Sequence, residues 1–113
     1  MRITNLTSGV CLAQNAAVAD SLFSRMKGLL GKESLSYGQA LILQPCNSVH
    51  TFFMKFSLDL IFVNKENRII KIIANLKPWR LSGVYLQAAY VIEFPAGSLV
   101  SSESKEGDTI LIS

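Results

Sequence analysis

The stretch that decides the fold reads SVHTFFMKFSLDLIFVNKENRIIKII and runs from Ser48 to Ile73. Its first part is rich in aromatic residues and lacks glycine and proline, a composition that favours extended backbone. We therefore predict a strand over Val49–Phe56. Because the side chains of a strand alternate between two faces, this strand would present one face that is apolar except for His50.

A β-hairpin is predicted directly after this strand. Two apolar runs, Leu60–Val63 and Arg68–Ile73, are separated by the polar residues 64–67. Runs of this kind around a short polar loop are typical of a hairpin, and residues Ala74–Leu76 extend its second strand. Asn67 is expected to adopt a positive φ in the loop, since its short amide side chain tolerates that conformation.

Strands are also predicted on both sides of the central stretch. An N-terminal hairpin would pair Arg2–Leu6 with Val10–Ala13 around a turn that contains Gly9. Later strands are predicted over Ala40–Leu43, Ala88–Phe94 and Thr109–Ile112.

One helix is predicted, over about residues 20–30, and the segment Asn15–Ala19 is expected to lead into it. Asp20 or Ser21 can cap its N-terminus by accepting a backbone N–H, and Gly31 can end it. Apolar side chains recur along one face at helical spacing; they are Leu22, Phe23, Met26, Leu29 and Leu30.

This helix precedes most of the strands instead of alternating with them, which disfavours a parallel sheet built from βαβ units. We therefore predict a mainly β fold: a small antiparallel β-sandwich or barrel with one amphipathic helix. The 113 residues fit a single domain over 1–113. A hydrophobic fraction of 50% with only 17% charged residues excludes a disordered chain.

Charge and hydropathy exclude two classes of partner. The net charge of +3 comes from scattered basic residues, which does not indicate a nucleic-acid partner. No apolar run approaches the ~20 residues that a membrane-spanning helix needs. No secretory signal pattern is present either, so we expect a cytoplasmic protein with no membrane partner.

Metal and redox chemistry are not indicated. The cysteines Cys11 and Cys46 form no CxxC pair, and we favour two buried free thiols over a disulfide, which sequence alone cannot assign. His50 is the only histidine, so a His-based metal centre is not expected and a core histidine is the favoured interpretation. We expect no metal and no cofactor.

Three polar or amphipathic residues, Asp59, Glu93 and Trp79, are candidates for a functional role. Asp59 and Glu93 are carboxylates within apolar runs, and a buried carboxylate must be paired or hydrogen-bonded. For Asp59 we favour a structural role, in which it accepts backbone N–H bonds, over a ligand site. Trp79 lies in a loop beside basic residues, where it could serve as a stacking surface or close one end of the core.

Several segments together resemble a known family. They are RMKGLLGK at residues 25–32, Thr51-Phe53-Met54, LDLIF at residues 58–62, VIEFPAG at residues 91–97 and Gly107-Asp108. In this order they resemble the DUF192 family, a prokaryotic family of unknown function, from about residue 10 onward. The matching positions are Arg25, Gly28, Leu29, Met54, Asp59, Glu93, Pro95 and Gly97. Leu30 and Asn67 depart from the pattern, since the family often has Met and Gly there.

The resemblance implies a small β-rich sandwich or barrel with a single helix, and it brings no settled activity. Many family members look exported behind a signal peptide, and we expect none in this chain. The first hypothesis is therefore a non-catalytic binding domain, with a polar site in an apolar cleft, for an unknown small molecule or protein. Its candidate site residues are Arg25, His50, Thr51, Met54, Asp59 and Glu93, which Lys55 could join.

Arg25 is predicted to lie within salt-bridge range of Asp59 or Glu93, and a structural ion pair is favoured over a ligand site. The second hypothesis is a protein–protein interaction module with an exposed edge strand or apolar patch. The third is a hydrolase that uses Asp59 and Glu93 as acid and base. No nucleophile or phosphate-loop motif supports an enzyme, and the oligomeric state stays open.

Overall fold

The computed structural model describes residues 1–19, 35–52 and 54–113. Within these ranges the chain forms eight strands and no residue lies in a helix. The strands are β1 (Ile3–Asn5), β2 (Val10–Ala13), β3 (Asn15–Ala19), β4 (Gln39–Leu43), β5 (Leu58–Val63), β6 (Ile69–Leu76), β7 (Tyr90–Pro95) and β8 (Ile110–Ile112). The predicted helix at about residues 20–30 lies outside the described residues. No described helix has the length and hydropathy needed to cross a membrane.

The described strands form two sheets, which confirms the mainly β prediction. One sheet has the order β2-β1-β8 and the other the order β3-β4-β7-β5-β6. Each of these sheets keeps two edges, so the described strands form no closed barrel. Every pairing is antiparallel except that of β3 with β4, which is parallel from Asn15↔Gln39 to Ala19↔Leu43.

The parallel pair corrects two expectations. The sheet is not purely antiparallel, and Asn15–Ala19 is itself a strand instead of a lead into a helix. Alanine has little strand preference, so the local sequence gives no signal for β3. Ala16 and Ala19 are buried in the folded protein, so tertiary packing stabilises the pairing of β3 with β4 instead.

The central strands β5 and β7 are buried at every residue. Because side chains alternate, their two faces supply two cores. The inter-sheet core lies between the two sheets and includes Ile3, Ile42, Ile61, Ile92, Phe94 and Ile110. The loop-covered core lies on the other face of the larger sheet and includes Leu43, Val49, Met54, Leu60, Phe62 and Val91.

The predicted hairpin is confirmed by the pairing of β5 with β6. Asn67 has φ 63°, as expected for its place in the loop. Its side-chain Oδ1 accepts a hydrogen bond of 2.9 Å from the hydroxyl of Tyr90, which ties the hairpin loop to β7. Burial raises the pKa of the Tyr90 hydroxyl to about 12.

The predicted strand over Val49–Phe56 is wrong. The described part of this segment is irregular, apart from a single antiparallel bridge between His50 and Leu81. Its apolar residues are still buried, since Val49 and Met54 belong to the loop-covered core. Strand propensity reports how well side chains fit a half-buried surface, and a packed loop meets that requirement equally well.

Smaller differences concern strand ends and cysteines. The strand predicted from Ala88 begins at Tyr90, because the N–H of Ala88 instead closes a turn to the carbonyl oxygen of Tyr85 at 2.9 Å. Cys11 and Cys46 are free, but Cys11 is exposed and Cys46 is half-buried, so the expectation of two buried thiols is wrong.

A buried polar network, not anticipated from the sequence, joins β1 to the segment before β8. The Asn5 side chain is fully buried, and its Nδ2 donates to Asp108 Oδ2 at 2.9 Å and to Ser104 Oγ at 3.0 Å. Its Oδ1 accepts the backbone N–H groups of Thr7 and Ser8. The amide thus uses its full donor and acceptor capacity, which removes the cost of burying it.

The raised pKa of Tyr90 predicts that the protein loses stability at alkaline pH. The pKa of its hydroxyl rises from 10.0 to about 12 in the folded protein, so between these pH values the unfolded state loses the proton first. The free energy of unfolding should therefore fall as the pH rises through this window. Urea denaturation at a series of alkaline pH values measures the fall. In Tyr90→Phe this component should be absent, and an equally steep fall in that variant would contradict the assignment.

Candidate functional site

Asp59 is a structural carboxylate. Its side chain is 0% exposed. Oδ1 accepts the backbone N–H of Asn75 at 2.8 Å, and Oδ2 accepts those of Gly97 at 3.0 Å and Leu99 at 3.1 Å. Both oxygens are therefore engaged by the protein's own backbone, as the favoured interpretation of this residue expects.

The backbone around Asp59 is shaped to reach it. The register of β5 against β6 shifts between Leu58 and Leu60, so that two residues of β6 face Asp59 alone, and one of them, Asn75, has φ 56°. A bulge bends its strand and redirects an N–H out of the ladder. Gly97, with φ 92°, turns the chain after β7 so that two further N–H groups point at the carboxylate. Asp59 thus joins the end of β6 to the turn after β7.

Asp59 and Glu93 lie on opposite faces of the larger sheet. Asp59 is aligned with Phe94 and Leu60 with Glu93 across the β5–β7 pair. Phe94 belongs to the inter-sheet core and Leu60 to the loop-covered core. Because neighbouring positions in a strand point to opposite sides, the two carboxylates cannot face one substrate. An acid–base pair in glycoside hydrolysis must flank a single bond, so the hydrolase hypothesis loses its geometric basis.

Glu93 is 3% exposed and points toward the loop-covered core. A carboxylate buried to this degree needs compensating interactions. Arg25, its predicted partner, lies outside the described residues, so that ion pair stays a prediction.

Two loops pack over the loop-covered core. The first loop comprises residues 44–57, of which 53 lies outside the described ranges, and the second loop comprises residues 77–89. Backbone bonds join them: the N–H of Ser82 donates to Val49 O at 2.8 Å and that of Tyr85 to Asn47 O at 2.9 Å. The ring of Tyr85 packs on Phe62 of β5 with centroids 4.6 Å apart.

Thr51 is the main link between these loops. It is 0% exposed. Its hydroxyl donates to Lys77 O at 2.6 Å and accepts the N–H of Arg80 at 3.0 Å. Its backbone N–H donates to Arg80 O at 2.9 Å, and its carbonyl accepts the N–H of Trp79 at 3.0 Å. One buried residue thus fixes the backbone of Lys77, Trp79 and Arg80.

An aromatic cluster, which we name the ring row, lies where the loops meet: His50, Phe52 and Trp79. The centroids of His50 and Phe52 are 5.2 Å apart, and Phe52 stacks on Trp79 at 5.9 Å with an interplanar angle of 29°. Trp79 is 54% exposed and His50 is also exposed, so the expectation of a core histidine is wrong. The φ of Trp79 is 64°, a left-handed conformation that is unusual for a bulky residue.

The charged side chains of the two loops are all positive. Lys55, Lys77 and Arg80 are exposed, and neither loop sequence contains an aspartate or glutamate. The guanidinium of Arg80 lies at the backbone of Trp79, because its Nη1 donates to the carbonyl oxygen of that residue at 3.4 Å. The ring row is therefore an aromatic surface in a cationic setting.

The candidate site residues predicted from sequence are thus distributed unevenly. His50, Thr51, Met54 and Glu93 lie on the loop-covered side of the sheet, and Asp59 lies on the other. The sequence left two roles open for Trp79, a stacking surface or the closure of one end of the core. It did not predict Phe52 as the stacking partner of Trp79. The only signal for that pair was the density of aromatic residues around His50.

A cleft of about 310 Å³ lies at the far end of the second loop. It is lined by Asn64, Lys65, Glu66, Leu86, Gln87, Ala88 and Ala89. None of the candidate site residues borders it, so it is separate from the ring row.

Comparisons with known proteins place the chain among uncharacterised relatives. The sequence model of DUF192, an "Uncharacterized ACR", matches residues 3–112. A UPF0127 protein of Pyrococcus horikoshii is 32% identical over 111 residues, which cover 96% of each chain. A UPF0127 protein of Thermococcus sibiricus is 30% identical over 96% of this chain and 72% of its own length.

A crystal structure shares the fold. It is that of a protein of unknown function from Novosphingobium aromaticivorans, with a TM-score of 0.82 and 23% sequence identity. The match covers 98% of this chain and 82% of the other. The arrangement of the two sheets is therefore found in a second protein at low sequence identity.

Asp59→Asn should destabilise the protein by at least about 2 kcal/mol, because an amide group presents N–H donors to backbone N–H groups that need an acceptor. Urea denaturation measures the loss. Glu103→Gln is the matched control, since Glu103 is an exposed carboxylate and should tolerate the change. Equal stability of the two variants would contradict the structural role of Asp59.

Thr51→Val should loosen both loops, since it keeps the shape of the side chain but leaves Lys77 O and the N–H of Arg80 without the hydroxyl. We expect a loss of about 2 kcal/mol and faster hydrogen exchange at the amides of Trp79 and Arg80. Thr51→Ser retains the hydroxyl and should retain slow exchange. Unchanged exchange in the valine variant would show that the loops are held independently of Thr51.

Proposed function

We propose that this chain, which belongs to the DUF192 family, is a non-catalytic binding domain whose ligand contacts the ring row. The observation that carries this proposal is the contiguous cluster of His50, Phe52 and Trp79 on two interlocked loops, with His50 and Trp79 exposed to solvent. Aromatic faces add attraction beyond the area they bury. A surface of this kind suits a flat or ring-shaped ligand.

Preorganisation supports the proposal. The four hydrogen bonds described for Thr51 hold the backbone beneath the ring row. A binding surface that is already ordered avoids part of the entropy cost of association. The left-handed backbone of Trp79 costs on the order of 1–3 kcal/mol, and conformations of this kind cluster at ligand clamps.

The site chemistry also favours binding over catalysis. The buried carboxylates Asp59 and Glu93 lie on opposite sides of the sheet. The hydroxyl of Thr51 is engaged by backbone groups and is not exposed. The exposed groups at the ring row are aromatic rings and cations, which hold a ligand without a general acid–base pair.

Trp79 is the only tryptophan of the chain, so its fluorescence reports directly on the ring row. We expect ring-shaped ligands found in a thermal-shift screen to change this fluorescence. Trp79→Ala should abolish their stabilising effect, because it removes the largest face, while Trp79→Phe should retain part of it. Leu86→Ala is the control on the same loop. Ligands that stabilise Trp79→Ala as well as the parent protein would contradict the proposal.

A protein–protein interaction module is the second candidate function. Its support is a run of exposed apolar side chains along the second loop: Leu81 at 66%, Val84 at 63% and Leu86 at 83%. Exposed apolar residues that cluster are typical of interaction surfaces. Substituting these three residues by serine while keeping the ring row separates the two functions, because only protein association should then be lost.

A further inference from the structure

We propose that the ligand of the ring row is a small anion that carries a ring, such as a carboxylated or phosphorylated ring compound. This inference rests on the proposed function and adds the charge and the size of the ligand. It follows from the charges beside the rings, from the way their backbone is fixed, and from the spacing of the rings themselves.

The charged residues of the two loops have one sign. Lys77 precedes Trp79 by two residues and Arg80 follows it directly, while Lys55 lies on the first loop. All three side chains are exposed, and no carboxylate occurs within residues 44–57 or 77–89. Loops that carry cations and no carboxylates attract anions and disfavour cationic ligands.

Thr51 fixes the backbone of Lys77 and Arg80, the two cationic residues nearest to Trp79 in sequence, as well as the backbone of Trp79 itself. It binds the carbonyl oxygen of Lys77 on one side, and both the N–H and the carbonyl oxygen of Arg80 on the other. The backbone atoms from which these two long side chains extend flank Trp79 in sequence and are therefore held in place. The same buried residue therefore orders both the stacking face and the base of the charged groups.

Arg80 is suited to bind the anionic group. Its guanidinium has five N–H donors in a planar fork, which matches a carboxylate or phosphate. Within the described part of the chain, one donor makes a long bond of 3.4 Å to the carbonyl oxygen of Trp79. This bond places the guanidinium at the backbone of Trp79, where its other donors are suited to bind a ligand stacked on that residue.

The spacing of the rings favours a small ligand over a nucleic acid. Surfaces that bind single strands offer separated aromatic faces on which successive bases stack. Here Phe52 is only half-buried but lies between His50 and Trp79, at 5.2 and 5.9 Å. The three rings therefore form one contiguous cluster instead of separated faces, which suits one ligand ring better than a series of bases.

The test uses matched pairs of charged and uncharged ring compounds: adenosine monophosphate with adenosine, glucose 6-phosphate with glucose, and benzoate with benzyl alcohol. Inorganic phosphate supplies charge without a ring, and a short oligothymidine supplies the nucleic acid. Binding is followed by Trp79 fluorescence, corrected for absorption by the ligand. We expect a charged compound to bind at least about tenfold more tightly than its uncharged partner, and salt to weaken it.

Arg80→Gln should reduce the affinity for that anion to the level of its uncharged partner. Lys65→Gln, which removes an exposed cation from the turn between β5 and β6, is the control and should leave the affinity unchanged. Melting curves of both variants show that they fold.

The outcomes separate this inference from the proposed function. Equal binding of charged and uncharged partners would overturn the inference and leave the ring row as a binding surface. Binding of inorganic phosphate that is stronger than binding of the charged ring compounds would show that no ring is required. Stronger binding of oligothymidine would show that the ligand is not small. If no compound of the panel perturbs Trp79, both proposals fail.

Discussion

The β5–β7 pair sits at the centre of the larger sheet and has no solvent-facing side. Every residue of these two strands is buried, so the sheet must be covered on both faces. A second sheet covers one face, and two loops that cross-link through Thr51 cover the other. The irregular layer carries the ring row and the exposed cations Lys55, Lys77 and Arg80. The candidate site is thus a consequence of how the second face of the sheet is covered.

Much of the architecture is visible in the sequence because its signals are local. The β5–β6 hairpin combines two apolar runs with a polar loop, and Asn67 supplies the residue that tolerates a positive φ. The N-terminal hairpin has a similar pattern around Gly9. Local signals fail where tertiary packing decides. Val49–Phe56 has strand-like composition but packs as a loop, while the alanine-rich β3 lacks a strand signal yet pairs with β4.

The site was harder to predict than the fold, because it depends on which face of a strand each side chain occupies. Asp59 and Glu93 both interrupt apolar runs, and in sequence they look equivalent. A shift of one residue in register moves a side chain to the other side of a sheet, and the alignment of Asp59 with Phe94 separates the two carboxylates. The contacts of Thr51 with residues 77–80 are equally non-local, so no pattern around Thr51 reveals them.

The hydrogen bonds of Thr51 also bear on how the loop layer moves. Opening either loop alone would break bonds at both the hydroxyl and the backbone of one residue, so the two loops are expected to open together as one cooperative unit. Opening of one loop while the other stays closed is therefore expected to be rare. Movement of the ring row would then follow the joint opening of both loops, and release of the proposed ligand would depend on how often that opening occurs.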